Sequence, residues 1–150
     1  MANLLEERRV PYAFPINVKH NLETPLQKGM LVSVEGINAQ EFDVYDVVAV
    51  DTAKRVAMIT EVAMSYEDTF DERDFVLPKG KVGRANYLQR GEIYTVAKSL
   101  LSGTKTVDTL IKPRASEHDW EDATGAEDAV AIVLKEVNYE GQESVWIEIL

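Results

Sequence analysis

The chain carries two histidines, His20 and His118, and no cysteine. Imidazole is the side chain best suited to moving protons or holding a metal near neutral pH. His118 lies in Glu117-His118-Asp119-Trp120-Glu121-Asp122, and imidazole with carboxylates is an ordinary ligand set. Neighbours along one loop seldom converge on one ion, however, so no metal is assigned there. His20 follows Lys19 and forms no motif with it. The absence of cysteine removes disulfides, thiolate metal sites and a thiol nucleophile together.

The remaining candidates fail on spacing. Asp68-Thr69-Phe70-Asp71-Glu72-Arg73-Asp74 is rich in oxygen ligands, but it lacks the Asp-x-Asp-x-Asp-Gly order that wraps calcium. Lys79-Gly80-Lys81-Val82-Gly83 has two glycines and reads as a turn. It does not match the phosphate-binding loops G-x-x-x-x-G-K-[ST] and G-x-G-x-x-G, and no G-x-S-x-G nucleophile elbow occurs. Carboxylates are plentiful, yet nothing singles out one pair as acid and base. No catalytic, metal or cofactor-binding residue is assigned, and no cofactor. The reading is non-enzymatic: a structural or binding protein.

The elements that would carry such a role are strands. Over Ala129–Leu150 the apolar period is two residues. Val130, Ile132 and Leu134 alternate with Ala131 and Val133, so both faces are apolar. Asn138-Tyr139-Glu140-Gly141-Gln142 offers a turn, after which Val145, Ile147 and Ile149 oppose Trp146, Glu148 and Leu150. This predicts a hairpin with a central first strand and a half-exposed second. The last strand is expected to close the sheet.

Upstream, strands are predicted over Leu26–Val34, with Lys28-Gly29 at its start as a turn or bulge, and over Val44–Val50, Arg55–Val62, Val82–Leu88, Glu92–Val96 and Val107–Ile111. Asp51-Thr52-Ala53-Lys54 reads as a hairpin loop between the second and third of these. Glu92–Leu101 also fits a helical stripe, but the surrounding strands favour a strand and then an irregular turn. Residues 65–74 and Pro113–Asp128 read as acidic loops. The expected fold is all-β: a single barrel or sandwich domain of about eight short strands over 21–150, with an extended N-terminal arm over 1–20. In the arm, Tyr12, Phe14 and Ile16 alternate around Pro11 and Pro15. Proline excludes a central strand, so these apolar groups, with Leu4 and Leu5, need a surface on their own domain or on a neighbour.

At 150 residues the chain is one domain by length. Its net charge is −10 and its pI about 4.7. Neither nucleic acid nor an anionic membrane is expected as a partner, since phosphate binding needs clustered lysine and arginine. No apolar run approaches the roughly 20 residues that span a bilayer, and the charged start, with Glu6, Glu7, Arg8 and Arg9, does not resemble an export signal. Glu117–Asp128 holds six acids and no base, and Lys79–Lys105 holds six bases against Glu92. Trp120 sits in that acidic stretch and needs cover, so it reads as a contact point for a partner. Trp146 is expected to pack on the barrel.

Three stretches carry a resemblance: Lys28-Gly29-Met30-Leu31-Val32, Glu61-Val62-Ala63-Met64-Ser65-Tyr66-Glu67, and Gly83-Arg84-Ala85-Asn86-Tyr87-Leu88-Gln89-Arg90-Gly91-Glu92-Ile93-Tyr94-Thr95-Val96. Together with the valine-rich closing hairpin, they resemble the capsid decoration, or head auxiliary, proteins of tailed bacteriophages. The resemblance runs over about residues 25–150 in order of features. Its most specific parts are Gly83–Val96 and the hairpin; the arm and Pro113–Asp128 fall outside it. It implies a cement protein of the virion exterior, present in host cytoplasm during assembly, that binds the major capsid protein lattice and stabilises it. Members sit as trimers at local three-fold positions or singly at hexamer centres, which favours a homo-oligomer, a trimer first. Leu4, Leu5, Tyr12, Phe14, Ile16 and Trp120 would then supply the contacts to capsid or neighbouring subunit. The competing readings are an acidic binding module that inhibits or sequesters a basic partner, a tail or baseplate structural protein, and, behind these, an enzyme.

Overall fold

The computed structural model describes the backbone of residues 4–8, 15–61 and 76–150, and side chains over 15–60 and 76–150. The strands in chain order are β1 (Leu4–Arg8), β2 (Ile16–His20), β3 (Leu26–Gln27), β4 (Leu31–Ile37), β5 (Val44–Val48), β6 (Val56–Glu61) and β7 (Val76–Leu77). There follow β8 (Gly83–Tyr87), β9 (Ile93–Ala97), a 3-10 turn (Lys98–Leu100), β10 (Leu110–Pro113), β11 (Trp120–Asp122), β12 (Ala131–Tyr139) and β13 (Gln142–Ile149). The fold is all-β, as the alternation predicts.

Two sheets carry the architecture. Strands β2-β5-β4-β6-β8 close into a barrel, and β1-β9-β13-β12-β10-β11 form a six-stranded sheet beside it. The barrel holds its own apolar filling, with Val18, Val32, Val47, Ala57, Ile59 and Ala85 buried together. A second core joins Leu31, Val50 and Met58 of the barrel side to Tyr94, Ile111, Trp120 and Val145 of the sheet side. Strands β4 and β6 therefore face both cores: Leu31 enters one and Val32 the other, and Met58 separates from Ala57 and Ile59 in the same way. Burial on both faces explains why these strands read as unbroken apolar runs rather than alternating ones.

The closing hairpin forms as predicted, with β12 and β13 antiparallel around Glu140-Gly141. Both turn residues have positive φ, 50° and 85°, as a two-residue type I′ turn requires. The side-chain alternation of β13 also holds, with Val145, Ile147 and Ile149 buried. Its position differs from expectation: β13 lies between β9 and β12 inside the sheet, which ends instead at β1 and β11.

The turn expected at Lys28-Gly29 forms, with Gly29 at φ 97°, and it separates β3 from β4. The pairing of the next two strands differs from the sequence reading. Strands β5 and β6 do not pair; both flank β4. Asp51–Lys54 is thus an arch over β4, held where the Ser33 hydroxyl accepts from the Asp51 N–H at 2.8 Å and donates to its carbonyl at 3.1 Å. Within the arm expected over 1–20, Leu4–Arg8 and Ile16–His20 are paired strands, β1 with β9 and β2 between β5 and β8 in the barrel. The strand-then-turn reading of Glu92–Leu101 matches β9 and the 3-10 turn.

Candidate protein interface

The predicted contact residues are placed as follows. Trp120 is fully buried in the shared core and begins strand β11, so it is not a surface contact. Glu121 and Asp122, which follow it in this three-residue strand, are half-exposed and exposed, while the indole is fully covered. Ile16 is half-buried and packs against the barrel filling. Leu4 and Leu5 belong to β1, whose backbone pairs with β9 of its own sheet. Tyr12 and Phe14, like the acidic run Asp68–Asp74, lie outside the described residues.

The stretch Pro113–Asp128 is a seam rather than a wet loop. Leu31 N–H donates to the His118 carbonyl at 2.9 Å, and His118 Nδ1 donates to the Leu31 carbonyl at 2.8 Å. Val50 N–H donates to the Glu117 carbonyl, and Ser116 N–H to the Val50 carbonyl at 2.7 Å. Four bonds thus tie this segment to the barrel, and Trp120 fills the core directly behind them. The acids have local partners. Arg114 grips Asp119 bidentately, with Nε and Nη2 each at 2.7 Å, and this raises the guanidinium pKa. Lys112 reaches Asp128 at 3.0 Å and Glu121 at 3.7 Å. The Thr124 hydroxyl, then Lys112 and the Gly125 N–H, hold the Asp128 carboxyl well below the usual carboxylate range. The Asp122 carboxylate accepts the Thr104 N–H.

The histidines are committed to structure. His20 is buried; its Nε2 donates to the Leu77 carbonyl at 2.7 Å, and its Nδ1 accepts the Leu22 N–H at 3.1 Å. Nε2 thus pins the end of β2 to β7, and Nδ1 fixes the turn that follows β2. His118 edges a cleft of about 340 Å³ with Gln27, Ser99, Glu117 and Asp119, where Asp119 is already held by Arg114. Among the described residues, no three histidine or acidic side chains gather as a metal-binding group.

The outer face of the six-stranded sheet carries apolar side chains that are only partly covered. Cross-strand register aligns Ile93 of β9, Glu148 of β13, Ile132 of β12 and Leu110 of β10 in one row on the side away from the core. Ile93, Ile132 and Leu110 are each half-buried. In the next row Trp146 stands between Thr95 and Lys135, 38% exposed, with the Lys135 ammonium 5.3 Å from its ring centre. The two tryptophans thus exchange the places expected of them: Trp120 packs inside, and Trp146 is the indole at the surface. The alternation with Glu148 and Leu150 was the signal for the second. No family model matches the chain, and no curated protein does.

Proposed function

We propose that the protein is a non-enzymatic structural protein of a tailed-phage virion, which binds the outside of the capsid shell and stabilises it. The observation that carries this reading is the Trp146 face. It is a sheet surface backed by an apolar core, with the indole of Trp146 beside a row in which Ile93, Ile132 and Leu110, on three strands, flank Glu148. Tryptophan on a rigid support is the side chain that most often anchors a protein contact. The resemblance of Gly83–Val96 and of the closing hairpin to decoration proteins supports the same reading, and those segments build β8, β9, β12 and β13. Three of these, β9, β12 and β13, form the face.

A contact of about 800 Å² per partner is within reach of such a face. Weak single contacts suffice on a shell, because the lattice repeats the same site many times. A protein that binds the intact lattice and not its separated subunits shifts the balance towards intact particles. The test is co-sedimentation with empty, expanded tailed-phage shells that lack a decoration protein. The wild-type chain is expected to pellet with shells and raise their disruption temperature. Trp146→Glu should lower occupancy by about tenfold or more with its own unfolding transition retained. A wild-type chain that stays in the supernatant at every ratio overturns the reading.

A further inference from the structure

The loop between β4 and β5 presents the most exposed large apolar side chain among the described residues. Phe42 is 86% exposed, and Ile37 at the end of β4 is 58% exposed. The loop is not slack. Asn38 Oδ1 accepts the N–H groups of Gln40 and Glu41 at 2.9 and 3.1 Å, and its Nδ2 donates to Asp46 at 2.8 Å. Asn38 N–H donates to the Val44 carbonyl, and Val44 N–H to the Glu41 carbonyl. Lys19 ion-pairs with Glu41. The ring adds little to its own fold, and the bonded loop holds it out into solvent. The surroundings are acidic. Glu35 and Asp43 are exposed and have no ion-pair partner among the described residues, while Glu41 and Asp46 are engaged as above.

The complement lies on the same chain. The turn at Pro78–Val82 exposes Lys79, Lys81 and Val82. It too is fixed: Gly80 N–H donates to the His20 carbonyl at 2.9 Å, and Lys81 N–H to the Pro78 carbonyl at 3.2 Å. Lys79 meets only Glu23, at 3.2 Å, in a pair open to water and therefore weak. The two turns lie on different neighbours of β2: Val44 of β5 registers beside Asn17, and the Pro78–Val82 turn bonds to His20 and leads into Gly83 of β8 beside Val18. Among the described residues no hydrogen bond or ion pair joins them.

We infer that copies of this chain associate head to tail, the Phe42 loop of one docking on the Lys79–Val82 turn of the next. Phe42 packs on Val82 and the lysine stems, and Asp43 and Glu35 face Lys79 and Lys81. Such a contact is heterologous: it closes into a ring or runs on as a chain, according to the rotation between copies. Each loop offers few residues, so the contact is weak between free molecules and strengthens when copies are held side by side. It is independent of what the Trp146 face binds.

The lack of cysteine makes the test clean. Ala39→Cys, beside Phe42, and Val82→Cys, a near-isosteric change, are purified separately, mixed and oxidised at about 0.5 mM, near the effective concentrations that weak linked contacts require. The mixed disulfide dimer is expected to exceed the two like dimers combined by about fivefold or more, against parity for random collision. Adding Phe42→Ala to the first partner, or about 0.5 M salt, should return the yield to parity. Because Phe42 is exposed, its truncation leaves the fold intact, and the unfolding midpoint checks this. A random mixture at the outset, or an excess that Phe42→Ala leaves unchanged, overturns the inference.

Discussion

Replacing each tryptophan by alanine in turn separates the core from the surface face. A fully covered indole takes about 150–250 Å² out of water, which at about 25 cal/mol/Å² corresponds to about 4–6 kcal/mol. Trp120 is fully buried, and its removal leaves a hole lined by the β9, β10, β12 and β13 side chains of the shared core. Large aromatic to alanine changes in cores cost about 3–5 kcal/mol, so about 4 kcal/mol is expected. Trp146 is 38% exposed, so roughly three-fifths of its area is covered, and solvent fills the space it leaves. After discounting for a compact unfolded chain, its loss should cost about 1.5–3 kcal/mol. Urea unfolding followed by far-ultraviolet circular dichroism measures both without relying on the fluorophore being changed. With a urea slope of about 1–3 kcal/mol/M, the two midpoints should lie about 1 M apart. Trp120→Phe should recover much of the loss, because it deletes an indole N–H that has no acceptor among the described residues. A Trp146→Ala variant as unstable as Trp120→Ala, or more so, refutes the inside-outside assignment of the two rings.

Two smaller perturbations probe local chemistry. Glu140 adopts φ 50° in the hairpin turn, next to Gly141 at 85°, so Glu140→Asn, which builds the favoured Asn-Gly pair, should stabilise by about 0.5–1 kcal/mol in thermal unfolding, and a loss of stability would show that the turn is not type I′. Asp128 has a depressed native pKa, set first by the Thr124 hydroxyl and then by Lys112, so its contribution is full above the unfolded value of about 3.9 and is lost as pH falls from there through the native value. Thermal midpoints of wild type and Asp128→Asn should therefore differ by a constant amount at neutral and mildly acid pH and converge below about pH 4; a gap that widens with acid would contradict the ion pair's role.

The parts of the molecule that were legible in the sequence are those whose signal is local. The period-two pattern of Val145, Ile147 and Ile149 marks the buried face of β13 without any knowledge of its neighbours, and Glu140-Gly141 marks the turn. What was not legible is pairing. Asp51–Lys54 between two β-branched runs has the composition of a hairpin loop, and only the buried Ser33 hydroxyl beneath it shows that a third strand passes between. Trp120 was hidden for a related reason. Three residues are too few to show a period, so Trp120-Glu121-Asp122 advertises its acids and conceals the direction of its indole.

The same logic accounts for where a contact surface could arise at all. The acids of Glu117–Asp128 have the composition of a docking loop, yet their backbone is consumed in joining Leu31 and Val50 to the sheet, and Asp119 and Asp128 are claimed by Arg114 and Lys112. A segment that holds two cores together cannot also rearrange to meet a partner without loosening both. The surfaces left over are those supported from behind but spared that duty: the outer row of the six-stranded sheet, and the bonded loop that carries Phe42. Each is rigid before any partner arrives, so little ordering entropy opposes binding there. In the inferred contact between copies, charge steers and apolar side chains hold, so a variant that neutralises Glu35 and Asp43 should slow association more than it weakens the complex once formed.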